Sequence, residues 1–177
     1  MCDTLDVIYK RRSVRKYKPD PISEDDLLKI MKAGQLAPSG YNKQPWHFII
    51  VKDQELKEKL SQWRWTRFIK EAPVAIVGCG NPEKSPEYWK IDVSIALQNM
   101  VIAATALGLA TCWIGDFEEE KVKEILDVPE DYRVVCIITV GYGAETPKMP
   151  RKKPLELIFS ENKFGNLIKM KKEKKNT

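Results

Sequence analysis

The spacing of apolar and polar positions divides the chain into short helices alternating with short buried strands. Residues 4–10 read as a first short helix, after which Pro19 and Pro21 break the chain. Ser23, with Asp26 three residues on, forms a variant capping box. It opens a helix with apolar positions Leu27, Leu28, Ile30, Met31 and Leu36, which stops before the loop-forming run Pro38-Ser39-Gly40-Tyr41-Asn42. Residues 46–52 predict a strand, 55–60 a helix, and Trp63, Trp65 and Phe68 an aromatic stretch without a clear period. The run 73–79 is apolar throughout and predicts a strand buried on both faces, followed by a turn-rich connection at 81–86.

Residues 92–107 predict a long helix with apolar or small residues on almost every side, ended by Gly108. A helix apolar all round must be buried all round. So small a chain has few interior positions for one, so a subunit interface is expected along it. A strand at 110–115, an amphipathic helix at 118–126 with its acids at the N-terminus, and a buried strand at 133–140 follow. Gly141-Tyr142-Gly143 ends that strand, and 154–159 is an apolar segment isolated near the C-terminus. The alternation predicts an α/β or α+β sheet sandwiched by helices, without internal repeats.

Composition narrows the class. At 177 residues the chain is expected to form one domain over 1–169 with a basic tail at 170–177. With 43% hydrophobic and 31% charged residues it can bury a full core, which argues against disorder. No apolar run approaches the roughly 18 residues of a membrane span, and 1–8 precedes a basic cluster, the reverse of a secretory signal. Cys2, Cys79, Cys112 and Cys136 are too scattered for metal spacing, and three of them lie in apolar runs. Buried reduced thiols in a cytoplasmic protein are the expectation. His47 is the one histidine, so His-based zinc sites and a Ser-His-Asp triad have little to draw on.

The net charge of +5 is unevenly spread. Ten basic residues against three acids in 147–177 give that segment +7, six basic residues in 10–18 give +6, and the remainder carries −8. The last lysines read as a solvated tail. The cluster Arg11-Arg12-Ser13-Val14-Arg15 combines guanidinium forks with a hydroxyl, the groups used for bidentate phosphate recognition, and is equally readable as a surface patch.

No phosphate-binding P-loop is present, and Gly78-Cys79-Gly80 lacks the rest of a dinucleotide fingerprint. No acid pair, nucleophile elbow or metal cluster stands out. By position alone Trp46, Trp113 and Ile114 are core residues, Asn42 a turn former, His47 structural and Cys112 an inert thiol. Three separated segments remain: R-R-S-V-R at 11–15, P-S-G-Y-N-K-Q-P-W at 38–46 and P-R-K-K-P-L-E at 150–156.

On the first two of these, with A-L-G-L-A-T-C-W-I-G at 106–115 and the run 128–142, the chain resembles the nitroreductase family of flavin mononucleotide (FMN) enzymes over residues 5–165. The resemblance implies an α+β fold with a central mixed or antiparallel sheet flanked by helices, in an intertwined homodimer with FMN at the subunit interface. Arg11, Arg12 and Ser13 would hold the flavin phosphate and ribityl chain, and Arg15 would reach the pyrimidine edge of the ring. Pro38, Ser39, Gly40, Asn42 and Gln44 would contact the flavin bound chiefly by the other subunit, with Tyr41 near the substrate. Trp113, Ile114 and Gly115 would lie along the ring, the Gly115 N–H near the reactive N5. Arg151 and Lys152 would return to the phosphate, and 154–159 would embrace the partner. Gly143 departs from the proline common in relatives, and Lys152 from their arginine.

The implied activity is FMN-dependent hydride transfer from NADH or NADPH to an electron-poor acceptor, a nitroaromatic or quinone, by a ping-pong mechanism. The cofactor carries the chemistry, so no catalytic acid, base, nucleophile or metal is needed from the protein. Alternatives on the same fold are reductive dehalogenation and flavin destruction. A nucleic-acid-binding module is disfavoured by the acidic body and by an expected lack of aromatic–basic interleaving, so neither nucleic acid nor membrane is expected as a partner.

Overall fold

The structure, a computed structural model, describes residues 4–168; Cys2 and the expected tail at 170–177 lie outside the described residues. The chain divides into two units, with the boundary after Pro147.

Among the described residues the α-helices and strands all fall in the first unit: α1 (Thr4–Lys10), α2 (Glu24–Gln35), β1 (Trp46–Val51), α3 (Gln54–Leu60), β2 (Val74–Gly80), α4 (Trp89–Ala106), β3 (Ala110–Ile114), α5 (Glu119–Ile125) and β4 (Arg133–Gly141). The strands form one sheet in the order β1-β2-β4-β3, every neighbour antiparallel. This is the antiparallel member of the expected pair, in an α+β arrangement.

Alternation along β2 explains the two layers. Val74 and Ile76 point to one face, where they pack with Ile30 of α2, Leu97 and Met100 of α4, and Ile138 of β4. Ala75, Val77 and Cys79 point to the other, with Leu60 of α3, Val122 of α5 and Ile137 of β4. A central strand covered on both faces needs an unbroken apolar run, which is what β2 has.

Ser23 caps α2 as expected, its Oγ accepting from the Asp26 N–H at 3.1 Å. The Asp26 carboxylate pairs with Lys29 at 3.0 Å and is also hydrogen-bonded by the Ser23 side chain. Helix α4 starts at Trp89, a turn before the expected 92, because Asp92 sits within the first turn instead of ahead of it. One side of α4 is buried through Val93, Leu97, Met100 and Val101. On the other, Ile91 and Ile95 remain 55% and 36% exposed, so a single chain does not bury this helix all round. Cys79, Cys112 and Cys136 are buried free thiols, as expected.

The described part of the second unit, 148–168, contains one 3-10 turn, Leu155–Leu157, and an isolated bridge between Ser160 and Leu167. The apolar side chains of Leu155, Leu157, Ile158 and Phe159 are all exposed.

Candidate functional site

The basic segment 11–15 is held against the outer edge of β3. Ser13 bridges Thr111 in parallel, and the Val14 N–H donates to the Thr111 carbonyl at 3.0 Å. Val14 is buried and anchors the segment from below. The Tyr17 hydroxyl lies 2.8 Å from the Val14 carbonyl and 2.7 Å from Thr139 Oγ1. Burial pushes that hydroxyl's pKa far above its ordinary value, so Tyr17 stays a neutral hydrogen-bonding group. Lys16 and Lys18 exchange main-chain bonds with 142–144, which settles the turn at Gly143: Lys18 N–H to the Tyr142 carbonyl and Ala144 N–H to the Lys16 carbonyl, both 2.8 Å.

Two cavities open along this seam. The first, about 260 Å³, lies between Lys10–Arg12, the start of β3 and residues 145–147. The second, about 150 Å³, is lined by Arg15, Trp65, Phe68 and residues 113–116. Strand β3 thus serves both, its first residues at one cavity and its last at the other. Of the sequence-predicted residues, the structure gathers Arg11, Arg12, Ser13, Arg15, Trp113, Ile114 and Gly115 along this strand.

The first cavity fits an anionic, oxygen-rich group. Among the described residues neither Arg11, Arg12 nor Arg15 forms an ion pair. Arg12 Nη1 donates to the Tyr9 and Arg11 carbonyls at 2.7 and 2.8 Å, and Arg11 Nη1 makes one long contact, 3.5 Å, to Ser13 Oγ. The hydroxyl of Thr111, whose residue also lines this cavity, is buried without a hydrogen-bond partner among the described residues. Glu145 adds one acid, its carboxylate accepting from the Arg15 N–H at 2.8 Å. Cys112 lies close by; burial raises its thiol pKa while Arg15, Arg11 and Ser13 partly oppose the rise.

The second cavity fits a flat group approaching main chain. A Cβ built on Gly115 would meet nothing within 4 Å, so the bare backbone there faces open space. The Ile114 side chain is buried in the α3/α5 layer, which leaves only its main chain for a ligand. Trp113 is half-buried toward the α2/α4 layer. Trp65 and Phe68 were not predicted for the site. The signal was the stretch Trp63-Arg64-Trp65-Thr66-Arg67-Phe68, which interleaves rings with guanidinium groups and corrects the expectation that the chain lacks such interleaving.

The loop 38–45 is elsewhere. It leads into β1, and two strands separate β1 from β3, a lateral distance of about 14 Å at ~4.8 Å per strand. None of Pro38, Ser39, Gly40, Asn42 and Gln44 lines either cavity. The loop is nonetheless tightly built. Ser39 Oγ accepts from the Gln44 N–H at 3.0 Å, and Gln44 Nε2 donates to Asn42 Oδ1 at 3.2 Å. Tyr41, Asn42 and Gln44 have φ of 53°, 55° and 47°, a left-handed conformation unusual for three residues so close together. The Gly40 N–H donates to Oδ1 of Asp92, a carboxylate only 2% exposed. Asp92 was missed from sequence; one acid in an apolar helical run was its only mark.

Arg151 and Lys152 are exposed in the second unit, ahead of its 3-10 turn. Among the described residues no three His, Cys, Asp or Glu side chains group as metal ligands would, and no helix is long and apolar enough to cross a membrane.

Comparison with known proteins places these features in a family context. Residues 8–77 and 61–142 match the profile described as Nitroreductase family. A protein of Archaeoglobus fulgidus, whose assigned name pairs NADH dehydrogenase with NAD(P)H nitroreductase, is 39% identical over 150 residues, covering 80% of this chain and 86% of its own. The iodotyrosine deiodinase of Thermotoga neapolitana is 30% identical over 186 residues, covering 90% of this chain and 97% of its own. Among solved structures, an FMN-dependent nitroreductase from Clostridium difficile superposes with a TM-score of 0.78 at 38% identity, covering 83% of this chain and 91% of that one.

Proposed function

Because the chain belongs to the nitroreductase family and is an oxidoreductase of that kind, we propose that it uses FMN to pass electrons from NADH or NADPH to a small electron-poor acceptor. The supporting observation is the pair of cavities joined by β3, one rich in unpaired guanidinium groups and one ring-lined with bare backbone at Gly115. A ligand with an anionic end and a flat end suits both.

In this reading Arg11, Arg12 and Ser13 bind the phosphate and ribityl chain, where charge-assisted hydrogen bonds are strongest. Arg15 holds positive charge at the pyrimidine edge of the ring, and the Gly115 N–H donates at its reactive side. The chemistry the cofactor supplies when bound is two-electron transfer, taken from the nicotinamide and then given to a nitroaromatic or quinone in ping-pong order. Trp113 and Phe68 keep water from the ring, and the protein itself moves no proton through a dedicated acid or base.

The site takes two copies of the chain. Residues 38–44 lie at the opposite sheet edge from Arg15, so they reach a flavin only across a homodimer interface. The exposed Ile91 and Ile95 of α4 supply an apolar face for it, and 154–159 an arm. The family resemblance also assigns Arg151 and Lys152 to the phosphate. The buried reduced thiols suit a cytoplasmic setting. Reductive dehalogenation on the same scaffold is the second reading, favoured by the 30% identity to the deiodinase.

An absorbance spectrum of the purified protein, followed by anaerobic titration with NADH and with NADPH, tests the reading. A yellow protein bleached by one or both supports it. A colourless protein that takes up no FMN overturns it.

A further inference from the structure

The segment 63–68 is anchored at Trp63, Thr66 and Phe68. Trp63 Nε1 donates to Glu118 Oε1 at 3.1 Å, Thr66 is fully buried with its Oγ1 accepting from the Trp63 N–H at 3.1 Å, and Phe68 enters the core. The residues between, Arg64, Trp65 and Arg67, therefore project outward. Trp65 is 57% exposed, a large ring left on the surface at the mouth of the second cavity. The Arg64 guanidinium lies 4.8 Å from the centroid of that ring. A guanidinium stacked on a ring keeps its edge donors free to fork onto a carboxylate. Neither Arg64 nor Arg67 forms an ion pair among the described residues. The nearby acids do not cancel them: Glu118 is engaged by Lys121 at 2.9 Å and by Trp63, which leaves Asp116 as the one acid lining the cavity, with Arg15 on the same wall and Arg64 stacked on the lining Trp65.

We propose that Trp65 and Arg64 form the outer wall of the substrate site and select an aromatic acceptor that carries a carboxylate or similar anion. The ring of the acceptor packs on Trp65 and its anion meets the free edge of Arg64. This rests on the reading of the second cavity as the flavin site. A flat ring beside an anion also describes a nicotinamide dinucleotide, so the test separates acceptor from donor.

The FMN-loaded protein is assayed with para-nitrobenzoate and its neutral isostere para-nitrobenzamide, alongside Arg64→Gln and Trp65→Leu. Anaerobic bleaching by NADH and NADPH is measured separately. The expected preference for the anion is roughly tenfold in kcat/KM, the worth of one charge-assisted hydrogen bond. Arg64→Gln is expected to erase it through KM with kcat unchanged, and Trp65→Leu to raise KM for both compounds. Retained preference in Arg64→Gln with slowed bleaching by the nicotinamide overturns the acceptor assignment in favour of the donor. Equal use of both compounds by the unaltered protein overturns the proposal. Quenching of tryptophan fluorescence by the two compounds needs no turnover. If the protein takes up no FMN, quenching by the benzoate alone, lost in Arg64→Gln, sustains the anion site while the flavin reading falls; equal or absent quenching overturns both.

Discussion

The main-chain N–H of Gly40 donates to Oδ1 of Asp92 at 3.0 Å, joining residues 52 positions apart in the chain. Asp92 Oδ2 in turn accepts from the Ser85 hydroxyl at 3.3 Å. A buried carboxylate thus ties the first turn of α4 to the strained loop ahead of β1. With the loop so held, its left-handed residues keep one conformation. Asp92→Ala is expected to leave the Gly40 N–H unsatisfied and cost ~1–3 kcal/mol. Asp92→Asn, which keeps an acceptor for Gly40, should recover most of that loss. Urea denaturation checks both, and FMN retention should follow the same order.

Arg11→Gln is expected to weaken FMN binding by ~10–100-fold, the cost of one charge-assisted contact to phosphate. The melting temperature of the flavin-free protein should not move, because Arg11 makes only one long side-chain contact of its own. Flavin fluorescence titration reads the first and a thermal melt the second. Equal loss of both would mean a structural arginine.

Gly78 and Gly34 should respond differently to alanine. A Cβ at Gly78 would lie 2.7 Å from Leu97 Cδ1 and 3.0 Å from Val93 Cγ1, where β2 is pressed against α4. Overpacking there is expected to cost ~1–3 kcal/mol. At Gly34 the obstacle is the buried Met100 side chain, with Cγ at 2.9 Å and Cε closer still, so its unbranched chain must take another rotamer within the core, while the helix preference for alanine offsets part of that cost. Urea midpoints should fall clearly for Gly78→Ala and by less for Gly34→Ala, where about 1 kcal/mol of helix preference is regained.

Burial raises the Cys79 and Cys136 thiols from an ordinary 9.0 to about 11. Unfolded thiols then ionise first as pH rises, so the unfolded chain holds fewer protons between those values. The stabilisation is complete below pH 9 and is lost as pH climbs through 11. Stability measured across that window should fall with pH, and iodoacetamide at pH 8 should alkylate these two residues only after denaturation, as read by peptide mass spectrometry.

Ile95→Glu places a charge on the exposed apolar side of α4 without entering the core. Light scattering is expected to show a dimer for the unaltered protein and a monomer for the variant, with FMN lost alongside. A dimer unchanged by the substitution would put the interface elsewhere.

Much of the fold was legible because its causes are local. The apolar run of β2, the Ser23 cap of α2 and the alternation of short strands and helices follow from neighbours a few residues apart. The early start of α4 was missed because an acid in the first turn resembles one that precedes it. In the site, the arginine cluster could be recognised from its residue types. Thr111 and Asp92 could not, since each acquires meaning only from what packs beside it.

The elements, the apolar faces and the cationic segment at 11–15 follow from local spacing and residue type. The order β1-β2-β4-β3, and with it the placing of the segment 11–15 and the loop 38–44 at opposite edges of the sheet, arises only in the folded chain. Strand order and register are set by side chains from distant segments filling shared layers, as Val77 and Ile137 do. Such pairings have no signature in local spacing, so the same motifs that sit in one line of sequence come to face different sides of the molecule.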